Sequence, residues 1–112
     1  MITIQYNSVD CRVQLSGHAG SGDPGHDLVC SAVSALTYTL EANVKSLEQA
    51  GIVRDVEIKL DHGDAVIACK PCADDVSSYV VRRIMAAVCV GYELLADRYP
   101  ENIRYDVERK IL

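Results

Sequence analysis

Tryptophan and phenylalanine are absent from this 112-residue chain, and six tyrosines supply all of its aromatic bulk. A core built from it is therefore aliphatic. Basic residues are in the minority, with 11 lysines and arginines against 16 aspartates and glutamates and a formal net charge of −5. That balance argues against a nucleic-acid surface, which needs clustered cations, and suits a basic protein partner. No apolar run approaches the roughly 18 residues of a membrane-spanning helix. Residues 1–6 alternate and soon meet charge, which is not the pattern of a signal peptide. Five cysteines are an odd number with no secretory segment, so they read as free thiols in a reducing cytoplasm. Charged residues make up 24% and hydrophobic residues 49%, too apolar a mix for disorder. The length fits one domain, 1–112, that needs no disulfide or metal staple.

Periodicity sets the order of elements. Ile2 and Ile4 alternate with polar neighbours, and Cys11, Val13 and Leu15 do so again up to Gly17, which predicts a hairpin. Val29, Val33, Leu36, Leu40, Val44 and Leu47 follow helical spacing, with Asp27 as N-cap and Gly51 as the stop. Val56, Ile58 and Leu60 form the cleanest strand pattern. The turn at Asp61, His62, Gly63 and Asp64 then returns the chain through Ala65 to Lys70. A second helix is predicted from about Asp74 to Arg98, with Val76, Val80, Ile84, Ala87, Val88, Gly91 and Leu95 on one face. Ala86, Ala87 and Gly91 leave room for close packing against the first helix or a second subunit. Ile103, Tyr105 and Val107 close the chain with a last strand. The expectation is an α+β fold: a mostly antiparallel sheet in ββαββαβ order, with both helices on one face.

Chemistry concentrates between residues 17 and 36. His18 ends a strand, residues 18–26 hold three glycines and a proline, and Cys30 falls in the first turn of the helix. A thiol becomes a nucleophile beside a base and in a positive field. His18 is the candidate base, and the helix N-terminus supplies the field. Backbone N–H groups such as those of Cys30 and Ser31 are candidate oxyanion donors. Asp27 adds opposing negative charge but is placed to orient a histidine. Ser34, four residues after Cys30, shares its helix face. The same residues fit a blander pattern: a lone cysteine in an apolar helix is commonly a small buried hydrophobe. Strict alternation also puts His18 on the face opposite Val13 and Leu15, unless Gly17 breaks the parity.

The run Gly17-His18-Ala19, then Gly25-His26-Asp27-Leu28-Val29-Cys30-Ser31-Ala32-Val33-Ser34-Ala35-Leu36, resembles the signature of the ribosomal-processing cysteine protease family, Prp. The resemblance implies an α+β homodimeric endopeptidase that needs no metal or organic cofactor. It implies Cys30 as nucleophile, His18 as base, and Asp27 and Ser34 as supporting residues. Residues 19–26, with Gly20, Gly22 and Gly25, would order over bound peptide. The implied substrate is the N-terminal extension of large-subunit ribosomal protein number twenty-seven, with no direct role for nucleic acid or membrane. His26 departs from the pattern at a variable position.

Two other classes remain open at this level. Cys69-Lys70-Pro71-Cys72 has the look of a thiol redox motif, although it also reads as a proline turn between unrelated cysteines. His62 and Cys89 lack the usual zinc-ligand spacing with that pair. A non-enzymatic ribosome-associated binding module would make Cys30 dispensable. Cys11 and Cys89 read as core residues, and His62 as a turn residue.

Overall fold

The computed structural model describes residues 1–17, 28–61 and 63–108. Along the chain lie β1 (Ile2–Asn7), β2 (Arg12–Gly17), α1 (Leu28–Gln49), β3 (Val53–Asp61), β4 (Asp64–Pro71), α2 (Asp75–Arg98) and β5 (Ile103–Glu108). This is the expected α+β order. The strands form one sheet in the order β3-β4-β2-β1-β5. Pairings β1–β2, β2–β4 and β3–β4 are antiparallel, while β1 and β5 run parallel.

Topology explains why both helices share a face. Through these pairings β2 runs parallel to β3, and β4 runs parallel to β5. Each helix is therefore a crossover between parallel strands. The two crossovers move in opposite directions along the sheet and start from oppositely directed strands. The right-handed rule then places both on the same side. That side of the sheet carries Ile4, Val13 and Ile67, all fully buried, and the helices cover them.

α1 buries Val29, Val33, Thr37, Leu40, Val44 and Leu47, so the expected stripe is present except that Leu36 is half-buried and Thr37 takes a buried place. It ends as predicted at Gly51, whose φ is +74°. The Gly51 N–H donates to the Glu48 carbonyl at 3.0 Å, and the Ile52 N–H to that of Leu47 at 2.9 Å. This is the pairing of a Schellman cap. Asp74 caps α2, its carboxylate accepting from the Ser77 N–H at 2.7 Å.

One expectation needs correction. The face of α2 that meets the sheet is centred on Ser77, Val81, Met85, Cys89 and Tyr92; of the expected stripe, Val80, Ile84, Val88 and Leu95 are half-buried against the core, whereas Val76 and Ala87 are exposed. Val76 is 73% exposed, and Tyr79, Val90 and Leu94 are also exposed. The outward side of α2 thus carries apolar residues of its own. Gly91 does allow close packing, and against α1: a Cβ there would lie 2.7 Å from Leu36 Cδ2. β3 forms where its alternation predicts, at the edge of the sheet. Its clean alternation belongs to an edge strand, with a register shift between Arg54 and Glu57 and Asp55 at φ +51°. Val56 and Ile58 are only half-buried, and Leu60 is exposed.

A buried hydrogen bond joins the helices. The Thr37 hydroxyl donates to the Val33 carbonyl at 2.8 Å, so its single proton is used. The Tyr92 hydroxyl, 2.8 Å away, therefore donates to Thr37. Removing the acceptor strands a buried donor, whereas removing the donor strands nothing. Thr37→Val is expected to destabilise the fold by about 1–3 kcal/mol and Tyr92→Phe by no more than about 1.5 kcal/mol, with the double variant closer to Tyr92→Phe. Urea unfolding of the three proteins checks the order.

Candidate active site

One end of the sheet gathers the start of β1, the end of β2, the turn between β3 and β4, and the start of α1. A hollow of about 340 Å³ opens there. Cys30 lines it from the first turn of α1, half-buried, and Ser34 lines it one turn later. Val33, Thr37 and Tyr38 continue the same side of the helix. Ile2, Leu15 and Ala65 add an apolar floor from the sheet, and Leu60, Asp61, Gly63 and Asp64 form the facing wall. The helix is amphipathic toward this hollow because positions 30, 34, 37 and 38 fall on one side at 3.6 residues per turn.

The facing wall is held by its own charges. Lys59 Nζ lies 3.1 Å from Asp64 and 3.6 Å from Asp61. The hydrogen bond from Lys59 to Asp64 leads the effects that raise the lysine above its usual range. At the end of β2, Gly17 has a φ of +91°, and its N–H donates to the Gly63 carbonyl at 2.9 Å. β2 thus ends at Gly17. A Cβ on Gly17 would collide with the Met1 carbonyl oxygen.

Cys30 and Ser34 are brought together at the hollow as the spacing predicted. Ser31 lies on the exposed side of the same turn. His18, Gly20, Gly22, Gly25, His26, Asp27 and His62 lie outside the described residues. Thr37 and Tyr38 were missed by sequence reasoning. Helical spacing from Cys30 and Ser34 reaches Thr37 and Tyr38 one turn on, but spacing alone does not separate them from other residues of the helix.

The redox reading loses its footing here. Cys69 is 2% exposed, and burial pushes its thiol up to about 11, whereas a redox thiol needs a lowered pKa and access. Cys72 donates to the Gly51 carbonyl at 3.2 Å. All five cysteines are free, and Cys11, Cys69 and Cys89 are core residues.

A thiol at a helix start, opening on a hollow long enough for several residues of peptide, agrees with what comparison finds. The family model described as cysteine protease Prp matches residues 1–104. The chain belongs to that family. Its fold is similar to the S. aureus ribosomal processing protease Prp with a covalently linked product peptide. That pair has 25% identity and a TM-score of 0.72, covering 96% of this chain and 100% of the other. The same S. aureus protease with a substrate peptide aligns with a TM-score of 0.69 at 25% identity, again over 96% and 100%. SMU.848 from Streptococcus mutans aligns at 27% identity and a TM-score of 0.66, over 97% of this chain and 93% of the other. No curated protein sequence gives a significant match.

Gly17→Ala places a side chain in a left-handed conformation and against the Met1 carbonyl. It is expected to destabilise the fold by at least about 2 kcal/mol. Thermal unfolding reads the loss, and Ser16→Ala, on the exposed neighbour, serves as the control.

Proposed function

We propose that this cysteine protease removes the N-terminal extension of large-subunit ribosomal protein number twenty-seven, with Cys30 as nucleophile and His18 as general base. The observation that carries the reading is Cys30 opening on the hollow at the start of α1, in a chain matched by the Prp family over residues 1–104. Its S. aureus relative is a ribosomal processing protease. The net charge of −5 suits a basic ribosomal precursor.

In this reading His18 takes the proton from the Cys30 thiol, and the sulfur attacks the scissile carbonyl. Unpaired N–H groups of the first turn of α1, including that of Cys30, stabilise the oxyanion. His18 returns the proton to the leaving amine and a thioester remains. Water, deprotonated by His18, releases the acid and regenerates the thiol. Ser34 donates a hydrogen bond to the sulfur or to substrate, and Asp27 orients His18. Residues 19–26, with Gly20, Gly22 and Gly25, close over the peptide. The whole chain acts as one protease unit in the reducing cytoplasm, where its five thiols stay free.

We also propose a homodimer. Val76, Tyr79, Val90 and Leu94 are exposed on the side of α2 turned away from the sheet, an apolar stripe suited to a second copy.

Incubation with the extended ribosomal precursor under reducing conditions, read by mass spectrometry, tests the function. One internal cut is expected from the wild type and none from Cys30→Ala. Ser34→Ala is expected to cut at a rate lowered by about ten-fold or more. Binding without any cut by the wild type would favour the non-enzymatic module. For the dimer, sedimentation should show the wild type as two chains and Leu94→Asp as one.

A further inference from the structure

Cys30 lies at one end of the hollow described above, and Tyr38 at the other. Along α1 the lining residues are Cys30, Val33, Ser34, Thr37 and Tyr38, a continuous row of i, i+3, i+4, i+7 and i+8 positions. Eight residues at 1.5 Å rise separate the ends by about 12 Å. An extended peptide advances about 3.3 Å per residue, so that distance spans three to four residues of substrate. The middle of the row is small or polar. Its far end is aromatic: Tyr38 is 60% exposed, and Leu60, paired with Ala65 in the sheet, lines the same hollow at 36% exposure. Tyr38 thus presents an exposed ring at a position that lines the hollow.

We propose that Tyr38 is a specificity-determining residue that receives, against Leu60, a bulky apolar side chain of the peptide three to four residues from the scissile bond. The inference rests on the protease reading and names a subsite within it. Substrate runs from Cys30 along the Ser34 and Thr37 turns, so the trough beside α1 is the path of one flank of the peptide. The apolar floor of Ile2, Leu15 and Ala65 makes this flank less demanding of polar partners than a groove lined by charge. The contact is made equally in the bound ground state and in the transition state, because Tyr38 is remote from the reacting atoms. It therefore acts on KM rather than kcat.

The test uses synthetic peptides spanning the cleavage site of the precursor, truncated one residue at a time from either end. In a second set, each flanking residue is replaced in turn by glycine. The wild type should show a drop of about ten-fold in kcat/KM, carried by KM, at one position three or four residues from the cut. Tyr38→Ala should reduce that discrimination to within about two-fold, and Tyr38→Phe should keep it. Peptides too short to reach Tyr38 should lose far less than the long ones. Equal losses on every peptide, discrimination intact in Tyr38→Ala, or an effect on kcat alone would overturn the proposal. Should the wild type cut none of the peptides, the protease reading fails. Binding of the same peptides to Cys30→Ala and to Cys30→Ala/Tyr38→Ala then reads Tyr38 separately, and equal affinities for the long peptides would sink the subsite.

Discussion

The contact between α1 and α2 governs the rest of the molecule. Gly91 lets the helices approach until Leu36 fills the space a side chain would take, and the Tyr92 hydroxyl locks the pair by donating to Thr37. Both features fix the rotation of α1 about its own axis. A helix free to roll by one position would turn Cys30 and Ser34 away from the hollow and bring neighbours such as Ser31 into it. The rotation is set within the core, by groups that play no part in chemistry, and the nucleophile inherits it. Arg82 adds a second tie. From α2 it donates to the Ser8 carbonyl in the turn between β1 and β2, holding the far end of the sheet to the same helix.

The functional end of the molecule is a meeting of chain turns rather than of regular elements. Ile2 starts β1 with its N–H donating to the Asn102 carbonyl, and Gly17 ends β2 against both Met1 and Gly63. Gly17 and Gly63 each have positive φ, and their hydrogen bond ties the strand that precedes His18 to the wall facing Cys30. Elements that contribute site residues are thus referenced to one another through backbone bonds, which hold position more tightly than side-chain contacts on an open surface.

Element order was legible in the chain because each segment obeys one period, two for strands and 3.6 for helices, and Gly51 and Asp74 mark helix ends by their local chemistry. The parallel pairing of β1 with β5 was not legible, since it joins residues about a hundred positions apart and leaves no mark on either strand. The face of α2 was misread for a physical reason. Val76, Val90 and Leu94 are as apolar as Val81 and Met85, so amphipathicity points two ways, and only packing decides between them. β3 shows the converse: perfect alternation on an edge strand that buries little. At the site, Cys30 and Ser34 were legible through helical spacing and the signature around them. Gly17 was legible as the end of a strand, but its contacts with Met1 and Gly63 were not. Tyr38 was not, because an exposed tyrosine in sequence is indistinguishable from any surface ring until a facing wall is present.

The lack of phenylalanine and tryptophan has a consequence in alkali. Where other cores place hydrocarbon rings, this one places phenols, and burial pushes Tyr6 and Tyr92 up to about 12 and Cys69 and Cys89 up to about 11. Unfolded, the same groups would ionise near 9 for the thiols and 10 for the phenols. The unfolded chain therefore gives up protons first as pH rises. Stability from these groups is complete below pH 9 and drains away between about pH 9 and 12, as the folded interior is asked to hold charge. An interior that looks wholly apolar at neutral pH is, in this sense, a titratable one.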